Sequence, residues 1–220
     1  MNIALIGNAK KRAEMLSKIS QGNIIKEFDN LSLDFIANQQ LIIDIDFDKD
    51  PINRWEILSK NSNAYFLLGA LHTQLDLLNL TGMQHNVFGF NNMCTFMERN
   101  VLEYNSPVGL EIASELKTVL SYTDFLKISN RVGMVSPRVV CMIINEAYFT
   151  LQEGTANKED IDIGMKLGTA YPFGPFEWAH KIGLWDVYSL LLAVKNDTTD
   201  ERYKICNLLK SEAIKSNLLS

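Results

Sequence analysis

The sequence predicts an α/β domain followed by an all-α domain, and three observations carry that prediction. Short apolar runs alternate with helix-forming runs through the first hundred residues, with short joints between them. That is the pattern of a parallel sheet wrapped by helices. From about residue 106 the strand-like runs stop. Residues 139–152 are then apolar on nearly every face, which predicts a helix buried all round. The division is placed at residues 1–105 and 106–220, with no glycine- or serine-rich linker and no internal repeat.

The elements follow in order. Residues 2–6 are a short buried strand ended by Gly7, and residues 9–19 are a helix. A second strand over 23–28 runs into Asp29, a short helix covers 31–38, and a third strand covers 40–47. Pro51 suits the first turn of a helix over 51–60, because its missing amide hydrogen has no partner there anyway. A fourth apolar run over 63–69, a helix over 73–80 opened by Thr73, and a fifth strand over 86–90 complete the first half. The second half reads as helices over 109–120 and 139–152, the latter stopped by Gly154. Asn157 with Asp160 three residues later caps the next helix, which Gly168 ends. Residues 175–182, 183–195 and 200–216 are three more.

Composition narrows the function. In 220 residues, 47% are hydrophobic and 21% charged, ordinary globular proportions that exclude disordered and low-complexity classes. A net charge of −5 leaves no electrostatic footprint for nucleic acid or an anionic membrane surface. No apolar run approaches the roughly 18 residues of a membrane span. The opening apolar stretch is too short for a signal peptide and lacks a basic leader. Three cysteines, Cys94, Cys141 and Cys206, are odd in number and far apart, which excludes a paired-cysteine metal site. They lead us to expect a reducing cytoplasm.

A strand that turns at a glycine raises the question of a dinucleotide site. Such a site uses one glycine for the turn, one for approach of the pyrophosphate and one for helix–strand packing. Here the stretch is Gly7-Asn8-Ala9-Lys10-Lys11-Arg12, with the first glycine alone. Asp29, 22 residues after Gly7, stands at the spacing of an acceptor for a ribose hydroxyl. The plainer reading makes Gly7 an ordinary turn and Asp29 a solvated strand end.

The second half carries more specific motifs. These are Val132-Gly133-Met134-Val135-Ser136-Pro137-Arg138, Ile144-Asn145-Glu146-Ala147 and Glu159-Asp160-Ile161-Asp162. Met165-Lys166-Leu167-Gly168 follows, then Pro172-Phe173-Gly174-Pro175-Phe176-Glu177 and Ile182-Gly183-Leu184-Trp185-Asp186. In this order and spacing they resemble the C-terminal domain of the 3-hydroxyacyl-CoA dehydrogenases, over about residues 128–194. The resemblance implies a Rossmann-like, doubly wound NAD-binding domain in the first half. It implies a homodimer through the C-terminal helices, an acyl-CoA ligand and NAD as cofactor. Members of that family are usually larger, so it also implies a shortened member, with a trimmed arm between the second and third strands.

The family transfers a hydride between NAD and the 3-position of an acyl-CoA. A histidine serves as general acid/base and a glutamate orients it. The segment that resembles the histidine's is Phe88-Gly89-Phe90-Asn91-Asn92-Met93. Asn91 falls at the histidine's place when counted from Gly89; alternatively the histidine is deleted. Glu98 matches the orienting glutamate or is an exposed carboxylate. The family's substrate-holding serine maps to Phe66-Leu67-Leu68, and its asparagine maps to Pro137, which has no donor. Asp48 matches a cofactor-binding acid after the third strand, near Asn53 and Arg54. His72 lies by the C-terminal edge of the sheet, whereas His85 and His180 read as surface residues. The resemblance therefore points to a dehydrogenase-like chain of acyl-CoA metabolism. It is either catalytically degenerate and acting by ligand or partner binding, or active through substituted residues.

Overall fold

A computed structural model describes residues 1–219 apart from Thr81 and Gln84. It divides into two compact units, Met1–Met134 and Val135–Ser220. The division falls well beyond the expected 105/106 boundary, because the sheet continues past residue 105.

In the first unit, β1 (Asn2–Ile6) leads through α1 (Ala9–Leu16) to β2 (Ile24–Phe28) and a single turn, α2 (Leu33–Ile36). β3 (Leu41–Asp44), α3 (Pro51–Leu58), β4 (Tyr65–Gly69) and β5 (Val87–Phe90) follow. β6 (Val101–Asn105), α4 (Ser114–Val119) and β7 (Asp124–Lys127) complete it. Among the described residues the seven strands form one sheet in the order β2-β1-β3-β4-β5-β6-β7. The pairings from β2 to β5 are parallel, β6 is antiparallel to β5, and β7 is parallel to β6. This is a doubly wound sheet whose strand order reverses direction between β1 and β3, the place where such folds open a ligand crevice.

The central strands are apolar on both faces because both faces are covered. Ile3, Leu5, Leu41, Ile43, Leu67 and Phe88 pack in one core cluster. Their alternates Ala4, Ile6, Ile42, Phe66 and Leu68 pack in another with Trp55 and Leu58 of α3. β2 and β7 lie at the edges and expose Ile24 and Leu126.

β6 and β7 were not foreseen. Val101–Asn105 carries Glu103 and Asn105 among its apolar residues, and Asp124–Lys127 is mostly solvated, so neither has the apolar run of the central strands. The expected helix over 73–80 is a single 3-10 turn at Leu75–Leu77, and the helix over 109–120 begins only at Ser114.

The second unit is helical throughout: α5 (Ser136–Gln152), α6 (Lys158–Thr169), α7 (Pro175–Ile182), α8 (Leu184–Thr198) and α9 (Asn207–Leu218). α5 is buried along one face through Val140, Cys141, Ile144, Ala147 and Tyr148. It is not buried all round, since Val139 and Glu146 are exposed. On the buried face the Asn145 amide donates to the Lys204 carbonyl and accepts from the Cys206 amide, both at 2.9 Å. A buried polar side chain is thereby satisfied while fastening α5 to the segment before α9. Asn157 caps α6 as expected, its Oδ1 accepting from the Asp160 amide at 2.8 Å. Gly168 does not end that helix. It continues to Thr169, and Ala170 takes the left-handed conformation that glycine would favour.

The Pro-Phe-Gly-Pro-Phe-Glu motif has a physical explanation here. Asp162 of α6 accepts from the amides of Phe176 (2.8 Å) and Glu177 (3.0 Å), two of the unpaired donors in the first turn of α7. A side chain at Gly174 would collide with that carboxylate, and Pro175 loses no hydrogen bond in the first turn. Asp162→Ala should therefore lower stability by about 1–2 kcal/mol. A fall in the urea midpoint with an unchanged slope checks this.

Candidate functional site

The C-terminal edge of the parallel strands brings most of the candidate residues together. Gly7 ends β1 with φ +144°, and a Cβ there would lie 2.9 Å from Ile45 Cβ. The glycine is required by the close approach of the segments that follow β1 and β3. Asn8 then caps α1, accepting from the Lys11 amide at 3.0 Å.

Arg12 reaches back across this turn. Its Nη1 donates to the Gly7 carbonyl and to Asp29 Oδ1, each at 2.5 Å, and its Nε donates to Glu27 Oε2 at 3.1 Å. Asp29, the expected ribose acceptor, is thus tied to the chain's own guanidinium. The pairing holds the end of β2 against α1, although the largely exposed Asp29 contributes little to stability through it.

Three carboxylates follow one another after β3. Asp44 is fully buried and takes two bonds from Arg54, Nε to Oδ2 at 2.7 Å and Nη2 to Oδ1 at 2.6 Å. Burial pushes the Asp44 carboxyl up, against the opposing pull of Arg54. Asp46, 7% exposed, pairs with Lys49 at 2.9 Å. Asp48 was expected to serve a cofactor. Its Oδ2 instead accepts from the amides of Leu71 (2.5 Å) and His72 (2.9 Å) and meets His72 Nδ1 at 3.2 Å. A one-third-exposed imidazole held by a carboxylate therefore stands just beyond β4. The sequence placed His72 at this edge but could not show that Asp48 folds back to meet it.

The segment after β5 holds the remaining candidates. Asn91 is buried, and its Oδ1 accepts from the Met93 amide at 3.1 Å while its backbone N–H donates to the Glu103 carbonyl of β6. Asn92 lies across the end of β4, its Nδ2 donating to the Ile45 carbonyl at 2.6 Å. A side chain at Gly69 would collide with both groups. Glu98 is exposed, and no hydrogen bond joins it to Asn91. The carboxylate that does hold this segment is Glu14 of α1, both of whose oxygens lie 2.9 Å from the Thr95 amide. Thr95 adopts φ 73°, an unusual conformation that this bond supports. Nothing in the local sequence marks Glu14, because its partner is 81 residues away. Phe66, Leu67 and Leu68 lie wholly inside the core. In the second unit Pro137 is a buried residue of the first turn of α5, a helix-opening position.

Comparison with known proteins shows what the chain is similar to. Residues 133–218 match the family model described as 3-hydroxyacyl-CoA dehydrogenase, C-terminal domain. The 3-hydroxyadipyl-CoA dehydrogenase of Escherichia coli is 41% identical over 98 residues, covering 44% of this chain and 19% of that protein. The 3-hydroxybutyryl-CoA dehydrogenase of Clostridioides difficile is 25% identical over 213 residues, covering 94% of this chain and 74% of that protein. The matches span 19%, 25% and 31% of three such curated relatives. The crystal structure of (S)-3-hydroxybutyryl-CoA dehydrogenase from Ralstonia eutropha shares the fold, with a TM-score of 0.75 at 17% identity over 98% of this chain and 94% of that one. The chain is similar to the 3-hydroxyacyl-CoA dehydrogenases, and over residues 133–218 to their C-terminal domain. Among the described residues, no helix is long and apolar enough to cross a membrane.

Two outcomes follow from this geometry. Burial holds the Glu14 carboxyl above its ordinary range, so the folded state binds that proton more tightly than the unfolded chain. Its contribution to stability is full below the ordinary carboxylate range and is lost as pH rises through the folded value. Glu14→Gln keeps an acceptor for Thr95 and has no charge to bury. It should be more stable than the parent at pH 7, with the difference gone by about pH 4, as denaturant melts across pH will show. Arg54→Met strands the Asp44 charge and should cost about 3–5 kcal/mol, most of it recovered by adding Asp44→Leu. Thermal melts of the two variants test this.

Proposed function

We propose that this chain keeps the dehydrogenase fold without hydride-transfer chemistry and acts by binding, with an acyl-CoA as the first ligand to test. One observation carries the reading. Counted from Gly89, the place of the family's acid/base histidine falls on Asn91, a buried amide whose oxygen is already engaged by the Met93 amide; with the histidine deleted instead, no imidazole stands there either. An amide exchanges no proton near neutral pH, and loss of a general acid/base costs roughly 10²–10⁴-fold.

The residues around Gly7 do not fit the pyrophosphate of NAD, the family's cofactor. Ala9 and Arg12 replace two fingerprint glycines, and the Arg12 guanidinium covers the Gly7 carbonyl and Asp29. The buried Asp46 carboxylate packs beside Gly7, where a diphosphate would meet like charge.

One observation favours a second reading, an active enzyme with substituted residues. The His72–Asp48 pair at the sheet's C-terminal edge has the form of an oriented general base. A homodimer through the helical unit is also part of the proposal. Exposed Ile163 and Leu167 on α6 support it, whereas Phe176, Trp178 and Tyr188 serve the unit's own core. A cytoplasmic location accords with three buried cysteines, none of which forms a disulfide among the described residues.

Purified protein with NADH and acetoacetyl-CoA should show no NADH oxidation above background across acyl chain lengths. Calorimetry should show saturable heat with the CoA ester alone. Turnover that His72→Ala abolishes while the protein stays folded would establish the second reading instead. Sedimentation at twice 24.9 kDa is expected for the homodimer.

A further inference from the structure

The second unit contains a cavity of about 660 Å³ that the dehydrogenase fold does not explain as chemistry. Its volume is that of a small-molecule site, and such sites combine apolar walls with a few convergent polar groups. We propose that it binds an aromatic carboxylate, independently of anything bound at the sheet edge of the first unit.

The walls are largely aromatic. Tyr148 of α5 and Phe176 of α7 are both buried and pack with ring centroids 4.9 Å apart. Gly183, at φ +105°, makes the sharp junction between α7 and α8 and leaves Leu184 and Trp185 at the lip. Trp185 is backed by Tyr188 at 5.7 Å and is 39% exposed, a large apolar ring turned outward beside a hole. A flat apolar ligand would gain both buried area and ring stacking against these walls.

The charges choose the sign of the ligand. Lys158 Nζ lies 5.6 and 5.4 Å over the Tyr148 and Phe176 rings, and bonds both Glu212 oxygens at 3.1 and 3.3 Å. The Tyr148 hydroxyl donates to the same carboxylate at 2.9 Å. Glu212 is therefore satisfied and its charge matched. Lys215 and His180 also line the cavity and have no ion-pair partner among the described residues. The cavity has a local excess of positive charge in a chain whose net charge is −5. An amine would be repelled by Lys215 and would displace Lys158 from the ring faces. A neutral ring would leave the basic groups unused. A carboxylate on an aromatic body uses walls and charge together.

The probe is 2-naphthoate, titrated into the full chain by calorimetry beside 2-naphthylmethanol and 2-naphthylmethylamine. Naphthoate should bind at least tenfold more tightly than either control. Lys215→Glu and Trp185→Ala, both at exposed positions, should each weaken naphthoate at least fivefold, with unfolding midpoints near the parent's. Should either variant fail to fold, salt decides: naphthoate binding to the parent should weaken with ionic strength and alcohol binding should not. Equal binding of all three probes, indifference to both substitutions, or no heat up to the solubility limit would overturn the proposal. So would a dimer that binds no naphthoate until Trp185→Ala separates it, since the face would then belong to a second copy. None of these readouts depends on NADH or a CoA ester, so failure here leaves the proposed function standing.

Discussion

Asp44 carries a carboxylate wholly removed from water at the end of the central strand β3, and Arg54 is the partner that makes this burial tolerable. Removing a charge from water costs several kcal/mol, so the pair holds only with good geometry and further bonds. Both conditions are met. Two guanidinium bonds reach the carboxylate, and the Asp46 amide donates to it at 3.2 Å. The pair fixes α3 against the end of β3 and so sets the path of the turn that carries Asp46 and Asp48. From that path Asp48 reaches the segment after β4, and the Ile45 carbonyl is presented to Asn92.

The consequence is a sheet edge whose polar groups are largely turned on one another. Arg12 closes on Asp29 and the Gly7 carbonyl, Asp48 on Leu71 and His72, Asn92 on Ile45, and Asn91 on Met93. In open α/β folds this edge faces a ligand. Here the side chains that would meet one are engaged by the fold itself. Arg12 and Asn91 thereby supply bonds that hold this edge of the fold together. His72 is held in place and still partly open to solvent, and the buried Oδ1 atoms of Asp48 and Asn92 have no hydrogen-bond partner among the described residues.

The second unit rests on a different device. Asp162 holds the start of α7 across the glycine of the Pro-Phe-Gly-Pro motif, and Asn145 fastens α5 to the segment before α9. These two buried or half-buried side chains position the helices whose aromatic residues line the cavity around Tyr148 and Phe176. The most recognisable stretch of the sequence is therefore one that keeps helices in place.

By itself the sequence determined the five parallel strands, most helices of the second unit within a few residues, and the resemblance of its second half to the dehydrogenase C-terminal domain. Buried strands and amphipathic helices announce themselves through local apolar periodicity, and caps such as Asn157 act over three residues. β6 and β7 were not legible, because Glu103 and Asn105 interrupt one and the other is an exposed edge strand. The same resemblance implies that Asn91, Phe66 to Leu68 and Pro137 stand near the places of the family's histidine, serine and asparagine. Only the tertiary structure decided what the replacements do. Asp29 meeting Arg12, Asp48 meeting His72 and Glu14 meeting Thr95 join residues 17, 24 and 81 positions apart. A hydrogen bond between distant positions depends on where the sheet and its turns bring them, and no local pattern encodes that meeting.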